Sequence, residues 1–154
     1  MKTKAFQILF AITLFVSCGP KPSKSLSVIT KETNTYISKV EVNANFKTEV
    51  TEGALTDTEG FQDIGKFKYT VFFDSQTKGL YKIHNIEITN TSISETYYFK
   101  DGDLVLIDGN LGGSPSKMYV QNGKIISESK YDAAAQKMLL EKAKRFQKAF
   151  QKEH

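Results

Sequence analysis

The chain carries one cysteine, Cys18, and two histidines, His84 and His154, in 154 residues. A lone cysteine excludes an internal disulfide, so packing must hold the fold together. With His154 at the terminus, neither a His-based metal site nor a Ser-His-Asp triad has enough parts in an obvious arrangement. No apolar run approaches the roughly twenty residues that a spanning helix needs. Segment 108–115, Asp-Gly-Asn-Leu-Gly-Gly-Ser-Pro, is glycine-rich but follows neither the Walker nor the dinucleotide pattern, and it reads as a flexible inter-strand loop. Asp101-Gly102-Asp103 lacks the ligand run and closing glutamate of an EF-hand loop, and turn chemistry accounts for it. No carboxylate pair is singled out for glycoside hydrolysis. The expectation is a non-enzymatic protein with no metal and no cofactor.

What is present begins with an address. Lys2 and Lys4 precede twelve residues, Ala5 to Val16, that are apolar apart from Gln7 and Thr13, and Ser17-Cys18 follows. That is the layout of a cleaved signal peptide. Phe15-Val16-Ser17-Cys18 resembles the lipobox of bacterial lipoproteins, in the relaxed form of Bacteroidota, because Phe15 stands where leucine is usual. An ordinary signal peptide ending near a cysteine is the other reading, but acylation accounts for the lone thiol without a pairing partner. The resemblance implies removal of residues 1–17 and a mature chain that starts at Cys18 with a thioether-linked diacylglycerol and an N-acyl group. The membrane is then a partner through acylated Cys18, and more than one acyl chain makes the anchoring firm, each buried CH₂ contributing about 0.8 kcal/mol. Residues 18–25, rich in Pro, Lys and Ser, are expected to be a tether. Residues 26–154 are expected to form a single domain, a size that one core sustains. Surface-exported lipoproteins of Bacteroidota commonly carry an acidic cluster after the cysteine. None follows Cys18, which implies an anchor in the outer or inner membrane with the domain facing the periplasm. Loss of Lys2 and Lys4 takes the formal net charge from +4 to +2. An exported domain of that balance is not expected to bind nucleic acid.

The body is organised by a recurrence. Tyr98-Phe99-Lys100-Asp101-Gly102-Asp103-Leu104 and Tyr119-Val120-Gln121-Asn122-Gly123-Lys124-Ile125 share the order Tyr, apolar, any, Asp or Asn, Gly, any, aliphatic. Asp-Gly and Asn-Gly suit a type I′ turn, which needs φ > 0 at both central residues, so each copy predicts a two-residue hairpin. Phe72-Phe73-Asp74 reaches Gly79-Leu80 through a longer turn. From Lys66, Phe67, Tyr69, Val71 and Phe73 alternate with Lys66, Lys68, Thr70 and Phe72, which predicts a half-buried strand. In 80–88 the apolar phase switches between Tyr81 and Ile83 and then Ile86 and Ile88, and a bulge near His84-Asn85 would reconcile them. Ile93–Phe99, Leu104–Ile107, Met118–Val120 and Ile125–Ser127 complete an antiparallel meander of about six strands, with 46–50 as a further short strand and 51–65 as a loop, or a loop with a short helical turn. Such a sheet usually keeps one face solvated.

Two helices flank it. Leu26, Ile29, Thr33, Tyr36, Ile37 and Val40 fall on one helical face. Near the end, Ala135, Met138, Leu139, Ala143, Phe146 and Phe150 form one stripe, Asp132 can cap the start, and Lys137, Lys144, Arg145 and Lys148 lie off the stripe. This amphipathic helix docks on the sheet or, in the competing reading, lies on an anionic membrane surface. The fold class is therefore α+β: an N-terminal helix, the meander, and a C-terminal amphipathic helix packed on the sheet.

The relaxed lipobox, an initial helix, the acidic segment Glu52-Gly53-Ala54-Leu55-Thr56-Asp57, the Tyr-Tyr-Phe-x-Asp/Asn-Gly-x-Leu hairpins and a closing charged helix together resemble small, poorly characterised lipoproteins of Bacteroidota. A helix followed by an antiparallel meander is also similar to PepSY and cystatin-like folds, an analogy that confers no function. Consecutive rings such as Phe72-Phe73 and Tyr97-Tyr98-Phe99 must lie on both sheet faces. Cross-strand pairing is one use of them. A binding face containing Tyr81 and Tyr98 is the other. The leading expectation is a lipid-anchored interaction module for an envelope protein or other cell-envelope component. The alternative is a carrier that holds a small or lipidic ligand between helix and sheet.

Overall fold

A computed structural model describes residues 24–154. The expected signal peptide, Cys18 and most of the tether lie outside the described residues. Helix α1 (Leu26–Glu41) leads into seven strands, β1 (Lys47–Thr56), β2 (Asp63–Phe73), β3 (Leu80–Ile88), β4 (Ser92–Lys100), β5 (Asp103–Leu111), β6 (Ser114–Gln121) and β7 (Lys124–Ile125), and helix α2 (Ala133–Glu153) closes the chain. The strands pair in chain order, every neighbour antiparallel, so the sheet is one meander of successive hairpins. The α+β arrangement expected from the hairpin signals is the one observed.

The turns obey local chemistry. Asp101 and Gly102 have φ of 52° and 85°, and Asn122 and Gly123 have 51° and 71°, the two positive values that a type I′ turn demands. The segment expected to be a flexible loop, 108–115, is a third tight hairpin. Strand β5 runs to Leu111, Gly112 and Gly113 turn at φ 59° and 85°, and β6 starts at Ser114. Pro115 is tolerated there because β7 pairs only with Val120 and Gln121, which leaves the Pro115 end of β6 as an edge.

Two further expectations are corrected. Segment 51–65 is mostly strand: Glu52 lies opposite Lys68 and Gly53 opposite Phe67, so β1 continues to Thr56 before a short turn. Its glycines are needed for close approach. A Cβ on Gly53 would sit 2.7 Å from Cε1 of Phe67, and one on Gly65 would sit 2.2 Å from the Ile88 carbonyl oxygen. Strand β3 has no bulge at His84-Asn85, since pairing is continuous from Lys82 to Ile88. The irregularity lies at Tyr81, where Phe72 faces Lys82 and Phe73 faces Leu80. Ile86 and Ile88 therefore belong to the opposite face from Ile83.

Both faces receive a helix. On one, Phe73, Ile83, Tyr97, Phe99, Ile107 and Met118, all fully buried, pack with Leu139, Ala143 and Phe150 of α2. Each such side chain contributes about 1.5–3 kcal/mol by leaving water. Asp132 caps α2, its carboxylate accepting from the Ala135 backbone N–H at 2.8 Å. Within the expected stripe, Met138 is 43% exposed, while Leu140 and Lys142 turn toward the sheet instead. On the other face, Val40 of α1 is buried with Tyr98 and Leu106, and Tyr36, Ile37, Phe46, Tyr81, Val105 and Tyr119 pack around them.

Candidate functional site

The α1 face is read row by row from the strand register. One row holds Thr48, Phe72, Lys82, Tyr98, Leu106 and Tyr119, and α1 sits on its Tyr98 end. The next holds Val50, Thr70, His84, Thr96, Asp108 and Lys117. Beyond it lie Glu52, Lys68, Ile86 and Ser94, and then Ala54, Lys66, Ile88 and Ser92.

The two tyrosines singled out by sequence fall at the covered end. Tyr98 is 7% exposed and donates its hydroxyl to Glu41 Oε1 of α1 at 2.9 Å. Burial first, then the Glu41 carboxylate, pushes its pKa well above the ordinary tyrosine value. Tyr81 is half-buried and stacks on Phe46 at 4.6 Å between ring centroids. Tyr119 donates to Asn34 Oδ1 at 2.8 Å, and the Tyr36 hydroxyl donates to the Phe99 carbonyl. Lys82 reaches Glu41 at 3.0 Å. The rings expected to meet a partner thus meet α1, which uses them as a hydroxyl-studded seat. Of the two singled out, Tyr81 retains an opening. It lines a cavity of about 510 Å³ with Tyr36, Lys78, Lys100, Asp101 and Phe150, between the hairpin turns and the two helices. Burial pushes the Tyr36 hydroxyl up to about 12.

The other end of the same face is open. A groove of about 440 Å³ is lined by Glu52, Gly53, Lys66, Phe67, Lys68, Ile86 and Ile88. Apolar side chains on or beside it are exposed: Val50 51%, Ile64 51% and Ile88 43%, with Phe61 at 84% on the neighbouring hairpin tip. Lys68 pairs with Glu52 at 2.8 Å, whereas Lys66 makes no ion pair among the described residues. At the boundary between the two ends, His84 Nδ1 and Thr96 Oγ1 share a hydrogen bond of 2.9 Å. Burial, then the Lys82 charge, lowers the His84 pKa, which favours the neutral ring.

Under α2 lies a polar cluster that sequence reasoning missed. Glu95 is fully buried, and its Oε2 accepts from Lys142 Nζ at 2.8 Å, Tyr97 Oη at 2.9 Å and Asn85 Nδ2 at 3.1 Å. Lys142 and Asn85 also donate to Glu87 Oε1, at 2.5 and 2.9 Å. Burial raises the Glu87 pKa, but these bonds and the Lys142 charge outweigh it and hold the carboxyl below its ordinary range. Glu95 Oε1 has no hydrogen-bond partner. The signal was available: Glu95 occupies the apolar phase between Ile93 and Tyr97, and Lys142 sits on the helix stripe between Leu139 and Phe146. With Glu95 sealed from solvent, the cluster fastens α2 to β3 and β4. No group of three His, Cys, Asp or Glu among the described residues is placed to hold a metal ion, and none of their helices is long and apolar enough to cross a membrane. No family model, curated protein or solved structure matches this chain.

Proposed function

We propose that this chain is a lipid-anchored envelope protein, held in the outer or inner membrane through acylated Cys18 and facing the periplasm, that acts as a non-enzymatic interaction module. The anchor rests on the lipobox-like Phe15-Val16-Ser17-Cys18, and the resemblance to small Bacteroidota lipoproteins supports the address. The binding reading rests on one observation: α1 covers the aromatic end of its sheet face and leaves the aliphatic end, with Ile86, Ile88, Val50 and Ile64 beside Lys66 and Lys68, uncovered. A contiguous exposed apolar area with a polar rim is the composition of a docking patch rather than of a plain solvated surface. The partner is a protein or envelope component that offers apolar groups with acidic neighbours.

A photo-crosslinking residue at Ile88 of the full chain, expressed in its membrane, tests this. The expected result is one recurrent crosslinked species that disappears when Ile86→Lys is added while the circular dichroism stays unchanged. Crosslinks that persist in the Ile86→Lys variant would overturn the assignment of the surface. Incorporation of an alkynyl fatty acid, lost in Cys18→Ser, checks the anchor separately.

The carrier reading keeps one observation in its favour, the cavity of about 510 Å³ at the turn end, where Tyr81 and Phe150 form apolar walls and Lys78 and Lys100 stand at hand for an anionic head. Native mass spectrometry of the purified chain distinguishes it: a retained small molecule released by Tyr81→Ala favours the carrier.

A further inference from the structure

We propose that the chain pairs with a second copy of itself along β1, joining the two sheets edge to edge in a two-fold antiparallel dimer. Strand β1 is the longer free edge of the sheet, while at the other side β7 is two residues long and the remaining edge, the start of β6, carries Pro115. A free edge presents a row of unpaired N–H and C=O groups, and proteins ordinarily blunt it with proline, charged side chains, bulges or a covering element. Strand β1 has charges at Lys47, Glu49 and Glu52 and an irregularity only at its end, between Leu55 and Thr56, but neither proline nor a covering element. Its pairing with β2 is unbroken from Lys47 to Leu55, it contains no proline, and neither helix-covered core includes any of its residues. The nearest part of α2 is its end, where His154 reaches Glu49 at 3.2 Å.

What fits such an edge is another strand, and the side chains select a copy of β1. Successive residues point their backbone groups to opposite sides. In a two-fold pairing of identical antiparallel strands, opposed residues must therefore share parity, and the axis must pass through a residue. An axis at Glu49 or Glu52 sets identical carboxylates against each other, which is destabilising. An axis at Thr51 places Val50 against Glu52, and one at Gly53 places Val50 against Thr56. An axis at Val50 opposes the two valines, each 51% exposed in the single chain, as an apolar β-branched pair. The same register sets Thr48 against the second copy's Glu52 and Glu49 against its Thr51, so no like charges are opposed. It also sets Lys47 against the second copy's Gly53, where the absent side chain leaves the Phe67 ring lying close by for the lysine stem and ammonium. The edge thus offers a self-complementary pattern centred on its exposed valine. The edge adjoins the groove assigned above and shares Glu52, Gly53 and Phe67 with its lining and Val50 with its margin, so the disulfide readout at Val50 and the photo-crosslink at Ile88 separate the two readings.

The test is disulfide crosslinking of the full chain under mild oxidation. Val50→Cys is compared with the wild-type chain, which carries only Cys18, and with Thr58→Cys on the β1–β2 turn. Covalent dimer is expected several-fold above both controls for Val50→Cys, and less for Thr51→Cys. Sedimentation of the wild-type chain should show a concentration-dependent dimer that Val50→Lys abolishes. Because Val50 is solvent-facing in the single chain, Val50→Lys should leave the circular dichroism unchanged, so loss of the dimer cannot be ascribed to misfolding. Three results would each overturn the proposal: crosslinking at Val50 no greater than at Thr58, a single-chain mass at every concentration, or a foreign protein captured at Val50 in place of a second copy.

Discussion

The two helices sit on opposite faces of one sheet, and their seats differ in kind. The seat of α2 is a filled core, with Phe73, Ile83, Tyr97, Phe99 and Ile107 fully buried and one ion cluster sealed within it. The seat of α1 is a smaller cluster, Val40 with Tyr98 and Leu106, supplemented by tyrosine hydroxyls and an exposed glutamate, and it occupies only one end of its face. Closing a face with dispersion and area gives a helix that cannot leave without large cost. Closing it with hydroxyl bonds near water gives a smaller net gain, because each broken bond is largely replaced by one to solvent. The difference teaches where stability resides and where surface has been left for use.

The largest effect should come from the sealed cluster. Lys142→Met removes the only cation bonded to buried Glu95 among the described residues and strands its charge, and a loss of about 3–5 kcal/mol in urea unfolding is expected. The double variant Lys142→Met with Glu95→Gln should recover most of it, and failure to recover would mean that packing rather than charge holds α2. On the α1 side, Tyr98→Phe deletes the bond to Glu41 and should cost only about 1 kcal/mol by the same measurement. A loss as large as that for Lys142 would erase the contrast between the seats.

Acid should weaken both faces by a similar linkage. Glu87 and His84 each have a pKa below the ordinary value in the fold, so the unfolded chain binds more protons in that interval and stability falls with pH. For His84 the loss begins as pH drops through about 6.5 toward its lowered folded value, and for Glu87 it begins near the ordinary glutamate value of about 4.3. His84→Asn should flatten the first part of the stability profile and Glu87→Gln the second. An unaltered profile in either variant would remove that group from the account. The smallest effect belongs to the open end: Ile88→Lys should change stability by no more than about 0.5 kcal/mol, as for surface positions without structural partners. A larger loss would show that Ile88 supports the sheet.

The hairpins were legible because their causes are local. Asp101-Gly102 and Asn122-Gly123 adopt the positive φ values that their side chains tolerate, and Asp132 caps α2 through its own next turn. Strand β1 was hard to read beyond Val50, because Glu52-Gly53-Ala54 has weak strand propensity and becomes strand only by pairing with Lys66, Lys68 and the overlying Phe67. The destination of Tyr98 was illegible for a related reason. Alternation assigns a ring to a face, but it cannot say whether a helix sixty residues away in sequence will lie on that face.

The sequence by itself determined the antiparallel run of hairpins, the turns at Asp101-Gly102 and Asn122-Gly123 and the amphipathic stripes of the two helices, because each depends on residues within a few positions of one another. Only the tertiary structure decided which sheet face each helix takes, that Tyr98 lies under α1 while Ile86 and Ile88 stay open, and that Lys142 meets Glu95. Those are contacts between residues far apart in the chain, chosen by shape and by the cost of leaving a buried charge alone, and no local pattern encodes them.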